Sequence, residues 1–511
     1  MAVAPERSFT RKEYVMNGKN ILVCMIVVLM SIPVWAAGSY EANWESLANH
    51  TAAPEWFQDA KFGIYFHWGV YSVPAYGSEW YPRNMHRKNG REYQHHLASY
   101  GDPTDFGYHD FVPLFKAEHF DAEAWAALFV KAGARFAGPV AEHHDGYSMW
   151  ASDVTPWNTR DTGPKRDITG ELAKAIRGHN MRFIATFHHA RNNLWEKSPG
   201  KWTGHYDLVK KDFPTLLENP KHAILYGYMP RDKFEAMWKA KLVEVIDKYQ
   251  PDIMWFDSWL HEISESVRQE YAAYYLNKAA KWNKEVVICR KQDDLPLDFT
   301  VLDHEKSRMS GASDHVWMTD DTISTGSWCY TSNLKIKPTR DVIHAMIDTV
   351  SKNGIVLLNI SPLANGLIPQ DQQQVLLEIG RWIGIHGEAI YKTRPWLTYG
   401  EGPTKEPKGG FREHAKFLKL KYNAQDIRYT RSKDGKTVYA MLLGRPGVGK
   451  TVTLQSFASG EIGANTKVAA VKMLGSSERI SWRQDDKGLQ VVMPSKVPEE
   501  MAVALKISVI K

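Results

Sequence analysis

Eight apolar, strand-like runs follow one another between residues 55 and 395, and stretches of helical period separate several of them. The strand-like runs are KFGIYFHWG, ARFAGPVAEHH, MRFIATFHHA, DIMWFDSW, EVVICRK, FTVLDHE, HVWMTDD and IVLLNISP. The helix-like stretches cover residues 121–132, 170–179, 233–249, 265–282 and 339–352. This alternation predicts an α/β fold, a (β/α)8 TIM-like barrel over residues 38–396. Because no good helical pattern lies between Arg290 and Trp317, we expect a distorted barrel.

The pattern changes after Trp396. Short runs that alternate apolar and polar residues (TVYAMLLG, KVAAVKML, GLQVVMP and AVALKISV) are separated by turns rich in Gly, Asp and Pro. Such runs are typical of an antiparallel sandwich. We therefore predict a C-terminal β-sandwich domain over residues 397–511.

The N-terminus has the pattern of a secretion signal. Lys19 precedes an apolar stretch from Ile21 to Ile32, and Val34 and Ala36 follow it at the positions that precede a cleavage site. The stretch is too short for a comfortable membrane span. We predict a signal peptide over residues 1–37, starting at Met1 or Met16, and a secreted or periplasmic protein with no stable span after its removal. A retained membrane anchor is the less favoured alternative.

Composition narrows the choice of ligand. The net charge is +6 and falls to +4 without residues 1–36. This mild positive charge is not a nucleic-acid-binding pattern, and it is compatible with binding an anionic polysaccharide. Aromatic residues make up 12% of the chain, including 19 Trp. This favours a protein that binds flat apolar faces such as sugar rings, the alternative being an aromatic-rich core. Cys289 and Cys329 are expected to be free, buried thiols rather than a disulfide framework.

Polar and ionisable residues follow most of the predicted strands. In barrel enzymes the chemistry gathers at the carboxyl ends of the strands. The residues at these ends are His67, His143, His144, His188, His189, Asp257, Arg290, Glu305 and Asn359. Asp257 interrupts the apolar run PDIMWFDSWL between two tryptophans, and its coincidence with the other groups on one rim favours a catalytic role over a capping role.

Two chemistries fit these residues. The twin histidines could supply ligands to a metal, with Asp257 as a carboxylate ligand. However, adjacent strand residues point to opposite faces, so each pair would donate at most one imidazole. The favoured hypothesis is glycoside hydrolysis by two carboxylates, with Asp257 as the nucleophile and Arg290 keeping it ionised.

Five motifs resemble those of the α-L-fucosidases of glycoside hydrolase family 29. In chain order they are AKFGIYFHWGVYSVPAYGSEWY (60–81), AEHHDGYSMWASDVTPWNT (141–159), PDIMWFDSW (251–259), VSKNGIVLLNISP (350–362) and GEAIYKTRPW (387–396). They span the predicted barrel. The resemblance implies a retaining mechanism through a covalent glycosyl-enzyme, with no metal or organic cofactor, and a β-sandwich as the second domain.

The resemblance also implies roles for individual residues. The nucleophile is the aspartate of the WFD strand, Asp257. The implied fucose-binding residues are His67, Glu79, Trp80, His143, His144, Trp255 and Arg290. His188 and His189 are further candidates for substrate contact, because this chain differs from better-known versions of the third strand.

The general acid/base is assigned to Glu305 in FTVLDHEKSR, with Asp303 and Asp320 as alternatives. This chain departs from the family pattern nearby, with Cys329 in SWCY where Gly is common and His304 in DHE where Tyr is expected.

The sequence thus predicts a secreted, exo-acting, retaining α-L-fucosidase that releases L-fucose from fucosylated oligo- or polysaccharides, with a fucoidan-type polysaccharide as one candidate substrate. A fucoside-binding barrel that has lost catalysis is the alternative from another class, and a metal-dependent hydrolase is a third. The linkage preference stays open. So does the oligomeric state, although a barrel offers ample surface for self-association.

Overall fold

The computed structural model of the chain describes residues 39–407, 414–417, 419–461, 463–498 and 500–510. The predicted signal peptide at residues 1–37 lies outside this range. From Ser39 onward the chain forms one compact unit.

Eight parallel strands form a nearly closed barrel, which confirms the predicted fold. They are β1 (Phe62–Phe66), β2 (Phe136–Glu142), β3 (Arg182–Phe187), β4 (Ile253–Phe256), β5 (Val287–Arg290), β6 (Val301–Leu302), β7 (Trp317–Thr322) and β8 (Gly354–Ile360). Their order in the sheet is β6-β5-β4-β3-β2-β1-β8-β7. A single parallel bridge between Asp303 and Met318 brings the two edge strands together.

Six long helices cover the barrel. They are α1 (Ala122–Lys131), α2 (Ile168–Gly178), α3 (Arg231–Tyr249), α4 (Glu265–Lys281), α5 (Thr339–Ser351) and α6 (Gln370–His386). The first five match the predicted helical stretches, whereas α6 was not among them. Between β5 and β7 the chain forms one 3-10 turn, Leu297–Phe299, and no α-helix, as predicted for a distorted barrel.

Shorter elements occupy the loops. The short α-helices are Trp44–Leu47, Glu55–Ala60, Tyr81–Asn84, Arg91–Ser99, Asp207–Asp212, Pro220–Leu225 and His414–Phe417. The other 3-10 turns are Val70–Ser72, Tyr108–Leu114, His189–Asn192, Pro214–Leu217, Leu260–Glu262, Gly387–Ala389 and Gln455–Phe457, and one small hairpin joins Glu196–Ser198 to Lys201–Trp202.

The barrel strands are apolar on both faces because both faces are covered. Alternate residues point inward and form one buried cluster that includes Tyr65, Ile184, Trp255, Cys289 and Leu357. Their neighbours along the strands, such as Ile64 and Met254, belong to a second cluster shared with the helices. This two-residue period decides which side chains enter the barrel at the ends of the strands.

Antiparallel sheets form the C-terminal β domain, also as predicted. A five-stranded sheet has the order β9-β10-β11-β16-β13, and a three-stranded sheet has the order β12-β15-β14. The strands are β9 (Thr393–Glu401), β10 (Ile427–Ser432), β11 (Thr437–Leu442), β12 (Thr451–Leu454), β13 (Lys467–Met473), β14 (Trp482–Asp485), β15 (Gly488–Val492) and β16 (Val503–Ile510). Side chains of both sheets share one apolar core. Because β9 crosses the predicted boundary between residues 396 and 397, the exact boundary stays a prediction.

A buried cluster of charges joins the barrel to the β domain. Asp348 on α5 lies 2.6 Å from Arg428 of β10, 2.9 Å from Lys352 and 3.2 Å from Arg308, and Glu406 also contacts Arg428 and Lys352. Burial raises the pKa of Asp348, but the three cations outweigh it and hold that pKa well below its ordinary value. Removing one partner would leave a buried charge uncompensated, which is strongly destabilising.

Two smaller features bear on the sequence predictions. Cys289 and Cys329 are free and buried, as expected. Among the residues that the structure describes, no helix combines the length and the apolar character that a membrane crossing requires.

Candidate active site

Alternation along the strands places the polar side chains. Tyr65, Trp255 and Cys289 point into the barrel, so the residues two positions further on, His67, Asp257 and Lys291, point inward where the strands end. The carboxyl ends of all eight strands lie at the same end of a parallel barrel. These side chains therefore meet in one place.

One pocket gathers most of the predicted site residues. Seven of the nine line it: His67, Glu79, Trp80, His143, His144, Asp257 and Glu305. The pocket is completed by His188, Ser258, Trp259, Lys291, Asp320 and Trp328. Of the nine strand-end residues expected to share one rim, six line this pocket: His67, His143, His144, His188, Asp257 and Glu305.

The carboxylate of Asp257 is surrounded by nitrogen atoms. One oxygen lies 3.0 Å from Nζ of Lys291, and the other lies 3.3 Å from Nε2 of His144 and 3.2 Å from Nδ1 of His188. Burial raises the pKa of Asp257, but the Lys291 charge and the two imidazoles outweigh it and hold the pKa well below its ordinary value. Asp257 is therefore ionised, as a nucleophile must be.

Lys291 also contacts two other carboxylates. Its Nζ lies 3.1 Å from Oε2 of Glu305 and 3.1 Å from Oδ2 of Asp320. Since Nζ is also 3.0 Å from Asp257, the contacting oxygens of Asp257 and Glu305 are at most about 6 Å apart. Retaining glycosidases hold their two carboxyl groups about 5–5.5 Å apart, whereas inverting ones need about 6.5–9.5 Å. The spacing fits the retaining geometry.

The three candidates for the acid/base differ in their access to substrate. Asp303 lies beneath the pocket, where it accepts a hydrogen bond of 2.9 Å from Nε1 of Trp255. Asp320 is buried and accepts a hydrogen bond of 2.9 Å from the Tyr65 hydroxyl; burial, then the neighbouring Asp303 charge, raise its pKa well above the ordinary value. Glu305 has a side chain that is 30% exposed, at the mouth of the pocket. Its position is the one that a leaving group can reach.

Neutral histidines form one wall. Burial, and after it the neighbouring histidines, lower the pKa values of His67 and His143 well below the ordinary value, and burial lowers that of His188 to about 4. Nδ1 of His67 is 2.8 Å from Oδ1 of Asn359, but Nδ1 of His143 and Nε2 of His188 are buried without a hydrogen-bond partner. Unpaired polar atoms are costly to bury. They point to a polyhydroxylated ligand that pairs with them.

Glu79 and Trp80 close the other side. Glu79 accepts hydrogen bonds from the Trp328 amide at 3.0 Å and the Ser327 hydroxyl at 3.2 Å, and burial raises its pKa. The ring of Trp80 lies 5.3 Å from that of His144 and 6.1 Å from that of Trp259, measured between centroids. The pocket thus pairs hydrogen-bonding groups with apolar rings, as a site for a deoxysugar requires.

Two predicted binding residues do not line the pocket. Trp255 lies beneath it, fully buried, with its ring 5.2 Å from that of His188, so it supports the pocket rather than facing it. The Arg290 guanidinium points away and contacts the Gln292 carbonyl at 2.8 Å and Asp293 at 2.8 Å. The residue that points into the pocket from this strand is Lys291, which directly follows the end of β5. Sequence reasoning missed it, although a step of two residues from the interior Cys289 identifies it.

The twin histidines behave differently at the two strands. His188 faces the pocket, while His189 packs on Trp238 of α3 at a ring distance of 5.6 Å. His143 and His144 both line the pocket instead of pointing to opposite faces, although each candidate metal set contains only one of them, as expected. The physical reason is that β2 ends at Glu142, after a register shift between Val140 and Glu142, so the two residues no longer follow strand alternation.

The described residues contain two sets that could hold a metal ion. They are His67, His143 and His188, and His144, His188 and Asp257, with ligand atoms within 4.8 Å of one another in each set. The ammonium of Lys291 is 3.0 Å from Asp257 and would repel a cation in the second set. The arrangement of Asp257 with Glu305 accounts for the pocket without a metal.

The barrel, the paired carboxylates and the hydroxyl-binding walls define a glycoside hydrolase. Comparison with protein-family models narrows this class to one family. The α-L-fucosidase model matches residues 27–388, and the α-L-fucosidase C-terminal domain model matches residues 421–508. The chain therefore belongs to the α-L-fucosidase family, glycoside hydrolase family 29, which confirms the resemblance inferred from its motifs.

Individual relatives agree with this assignment. Tissue α-L-fucosidases of Homo sapiens and Bos taurus are each 30% identical to the chain, and each alignment covers 92% of both proteins. The Thermotoga maritima α-fucosidase, solved in complex with a mechanism-based inhibitor, is 27% identical with a TM-score of 0.72, covering 92% of this chain and all of that one. A Bacteroides thetaiotaomicron family 29 enzyme, solved as a trapped covalent intermediate, shares the fold at 19% identity and a TM-score of 0.63, covering 90% and 97%.

The geometry predicts that Lys291 sets the acidic limit of activity. In Lys291→Met the cation that holds the Asp257 pKa down is gone, so that pKa should rise by about one to three units. A nucleophile with a higher pKa is protonated at higher pH, so the acidic limb of the kcat/KM profile should move upward. The measurement is the pH dependence of kcat/KM on an aryl α-L-fucoside.

The matched control is Arg290→Met, which removes a cation one residue away that points out of the pocket. Its acidic limb should coincide with that of the unaltered protein. An unchanged limb in Lys291→Met, or an equal shift in both variants, would contradict the role of Lys291.

Proposed function

We propose that the protein is a retaining, exo-acting α-L-fucosidase in which Asp257 is the nucleophile and Glu305 the acid/base. The observation that carries this proposal is the placement of Lys291 between the two carboxylates, close enough to both that their oxygens are at most about 6 Å apart. The sequence similarity to α-L-fucosidases over nearly the whole chain supports the choice of sugar.

The first chemical step forms a glycosyl ester. A carboxylate oxygen of Asp257 attacks the anomeric carbon of the fucosyl unit, and the glycosidic bond breaks as Glu305 gives its proton to the departing oxygen. In the second step Glu305 removes a proton from water, which attacks the same carbon and releases fucose and the Asp257 carboxylate.

Lys291 keeps the charge balanced through both steps. Before attack its positive charge is paired with ionised Asp257. Once Asp257 is esterified and Glu305 has given up its proton, the negative charge resides on Glu305, which Lys291 also contacts. The same ammonium therefore favours the nucleophile first and the general base second.

The shape of the pocket supports cleavage at chain ends. Trp255, Asp303 and Tyr65 close its inner end, and Glu305 and Trp328 lie where it opens. A pocket closed on one side accepts a terminal sugar and not an internal one. We accordingly propose release of L-fucose from the non-reducing ends of fucosylated oligo- or polysaccharides, including those of fucoidan type.

We also propose that the protein acts outside the cytoplasm, in the medium or the periplasm. The support is the signal-peptide pattern around Lys19 and the apolar stretch from Ile21 to Ile32. A fucoside-binding protein without catalysis is the second candidate, but a binding role gives no reason for two carboxylates at catalytic spacing.

Hydrolysis of 4-nitrophenyl α-L-fucoside tests the proposal. The unaltered protein should be active with EDTA present, and Asp257→Ala should lose at least about a thousandfold in kcat because the carboxylate that forms the ester is gone. Asp293→Ala, which removes an exposed carboxylate outside the pocket, is the control. Activity that survives in Asp257→Ala would refute the nucleophile, and loss of activity in EDTA would favour a metal-dependent hydrolase.

The acid/base assignment predicts a dependence on the leaving group. A 4-nitrophenolate leaves without protonation, so Glu305→Ala should change kcat/KM little on the aryl fucoside but lower it by about 10²–10⁴ on a fucosyl disaccharide. The same variant should lower kcat on the aryl fucoside, because hydrolysis of the ester has lost its general base. Azide needs no general base, so it should restore kcat and form fucosyl azide. If Asp320→Asn rather than Glu305→Ala shows this pattern, Asp320 is the acid/base.

A further inference from the structure

The pocket opens into a second concavity, which we call the outer cleft. It is lined by residues of the segments 77–80, 305–306 and 325–335 and by Arg91. It shares Glu79, Trp80, Glu305 and Trp328 with the pocket. Because Glu305 is at the junction, the outer cleft is where the sugar that carries the fucose must lie, if the proposed function is right.

The carboxylates of the outer cleft already have partners. Glu79 is buried and accepts hydrogen bonds from Ser327 and the Trp328 amide. Glu305 is paired with Lys291 at 3.1 Å. Among the described residues, neither carboxylate lies within ion-pair distance of a cation that lines the outer cleft, and Glu305 is instead paired with Lys291 in the pocket.

The cations of the outer cleft are less well paired. Nζ of Lys306 lies 4.1 Å from the centroid of the Trp328 ring and 3.4 Å from the Gly326 carbonyl oxygen. No carboxylate in the described part of the chain comes within ion-pair distance of it, although it is only partly exposed. Burial lowers the pKa of Lys306, while the more distant charges of Glu79, Asp321 and Glu305 act in the opposite direction.

Two further cations lie along the outer cleft. Lys335 is exposed and makes no ion pair with the residues that the structure describes. Arg91 pairs with Glu92 through Nε at 2.7 Å, and its side chain is 72% exposed. The lining thus presents ammonium and guanidinium groups beside the hydroxyls and amides of Ser78, Thr325 and Asn333.

We propose that the outer cleft binds an anionic sugar, one that bears a sulfate ester or a carboxylate next to the fucosidic bond. The anion pairs with Lys306 and Lys335. Lys306 lies over the ring of Trp328, and this contact holds its ammonium at the junction with the pocket. A sulfate ester and a uronate carboxylate share this chemistry. The inference rests on the proposed function and adds a substrate class to it.

The test compares three fucosyl disaccharides of one linkage, in which the second sugar is neutral, sulfated or a uronic acid. The unaltered protein should show a higher kcat/KM for at least one anionic disaccharide than for the neutral one. The preference should fall by roughly twofold to fivefold in each of the single variants Lys335→Gln and Lys306→Gln, since a partly exposed ion pair contributes modestly to binding. It should also weaken as salt is raised beyond about 0.1 M, where the screening length is about 10 Å.

The matched control is Lys174→Gln, an exposed lysine on α2 that lies outside both the pocket and the outer cleft. Its anionic preference should equal that of the unaltered protein. A preference for the sulfated disaccharide alone, or for the uronate alone, identifies which anion the cleft accepts.

Several results would overturn the inference. One is hydrolysis of the neutral disaccharide with no anionic preference, which leaves the fucosidase proposal intact. Another is a preference that persists unchanged in both Lys335→Gln and Lys306→Gln. Failure to hydrolyse any disaccharide and 4-nitrophenyl α-L-fucoside as well would overturn the fucosidase proposal and this inference together.

Discussion

The contact between Lys291 and Asp257 is the interaction on which the site depends. A carboxylate buried at the end of a strand would be protonated without a compensating charge, and burial does raise the pKa of Asp257. The ammonium 3.0 Å away reverses this effect. Lys291 also contacts Glu305 and Asp320, so its side chain is the centre of a cluster of three carboxyl groups. Removing it would change the charge state of the whole pocket.

The barrel fixes this arrangement through simple geometry. Asp257 and Lys291 follow neighbouring strands, β4 and β5, which pair in parallel with Phe256 opposite Arg290. The two side chains therefore leave adjacent strands at the same height and on the same face. Glu305 arrives from the short strand β6 by way of Asp303, whose bridge to Met318 joins the two edges of the barrel. The irregular part of the barrel, which lacks an α-helix, is thus the part that supplies the second carboxylate.

Much of this could be predicted from the sequence because it depends on period and motif. The eight strands follow from apolar runs, and Asp257 follows from a carboxylate that interrupts one of them. The motif match that selected Arg290 located the strand but not the face, so Lys291 was not considered. A step of one residue reverses the face, so only counting from an interior residue such as Cys289 distinguishes the two. The directions of the His143 and His144 side chains depend on where β2 ends, and the composition of the strand does not specify that end.

Reaction with 2-deoxy-2-fluoro-α-L-fucosyl fluoride tests the assignment of Asp257 most directly. The fluorine at C2 slows both steps, but the anomeric fluoride is a good leaving group that keeps formation of the ester fast, so the ester accumulates. The protein should lose activity with time, gain the mass of one fluorofucosyl group, and carry that group on the peptide that contains Asp257. Labelling should be absent from Asp257→Ala. A label on another carboxylate, or fucoside hydrolysis that continues without any label, would contradict the assignment.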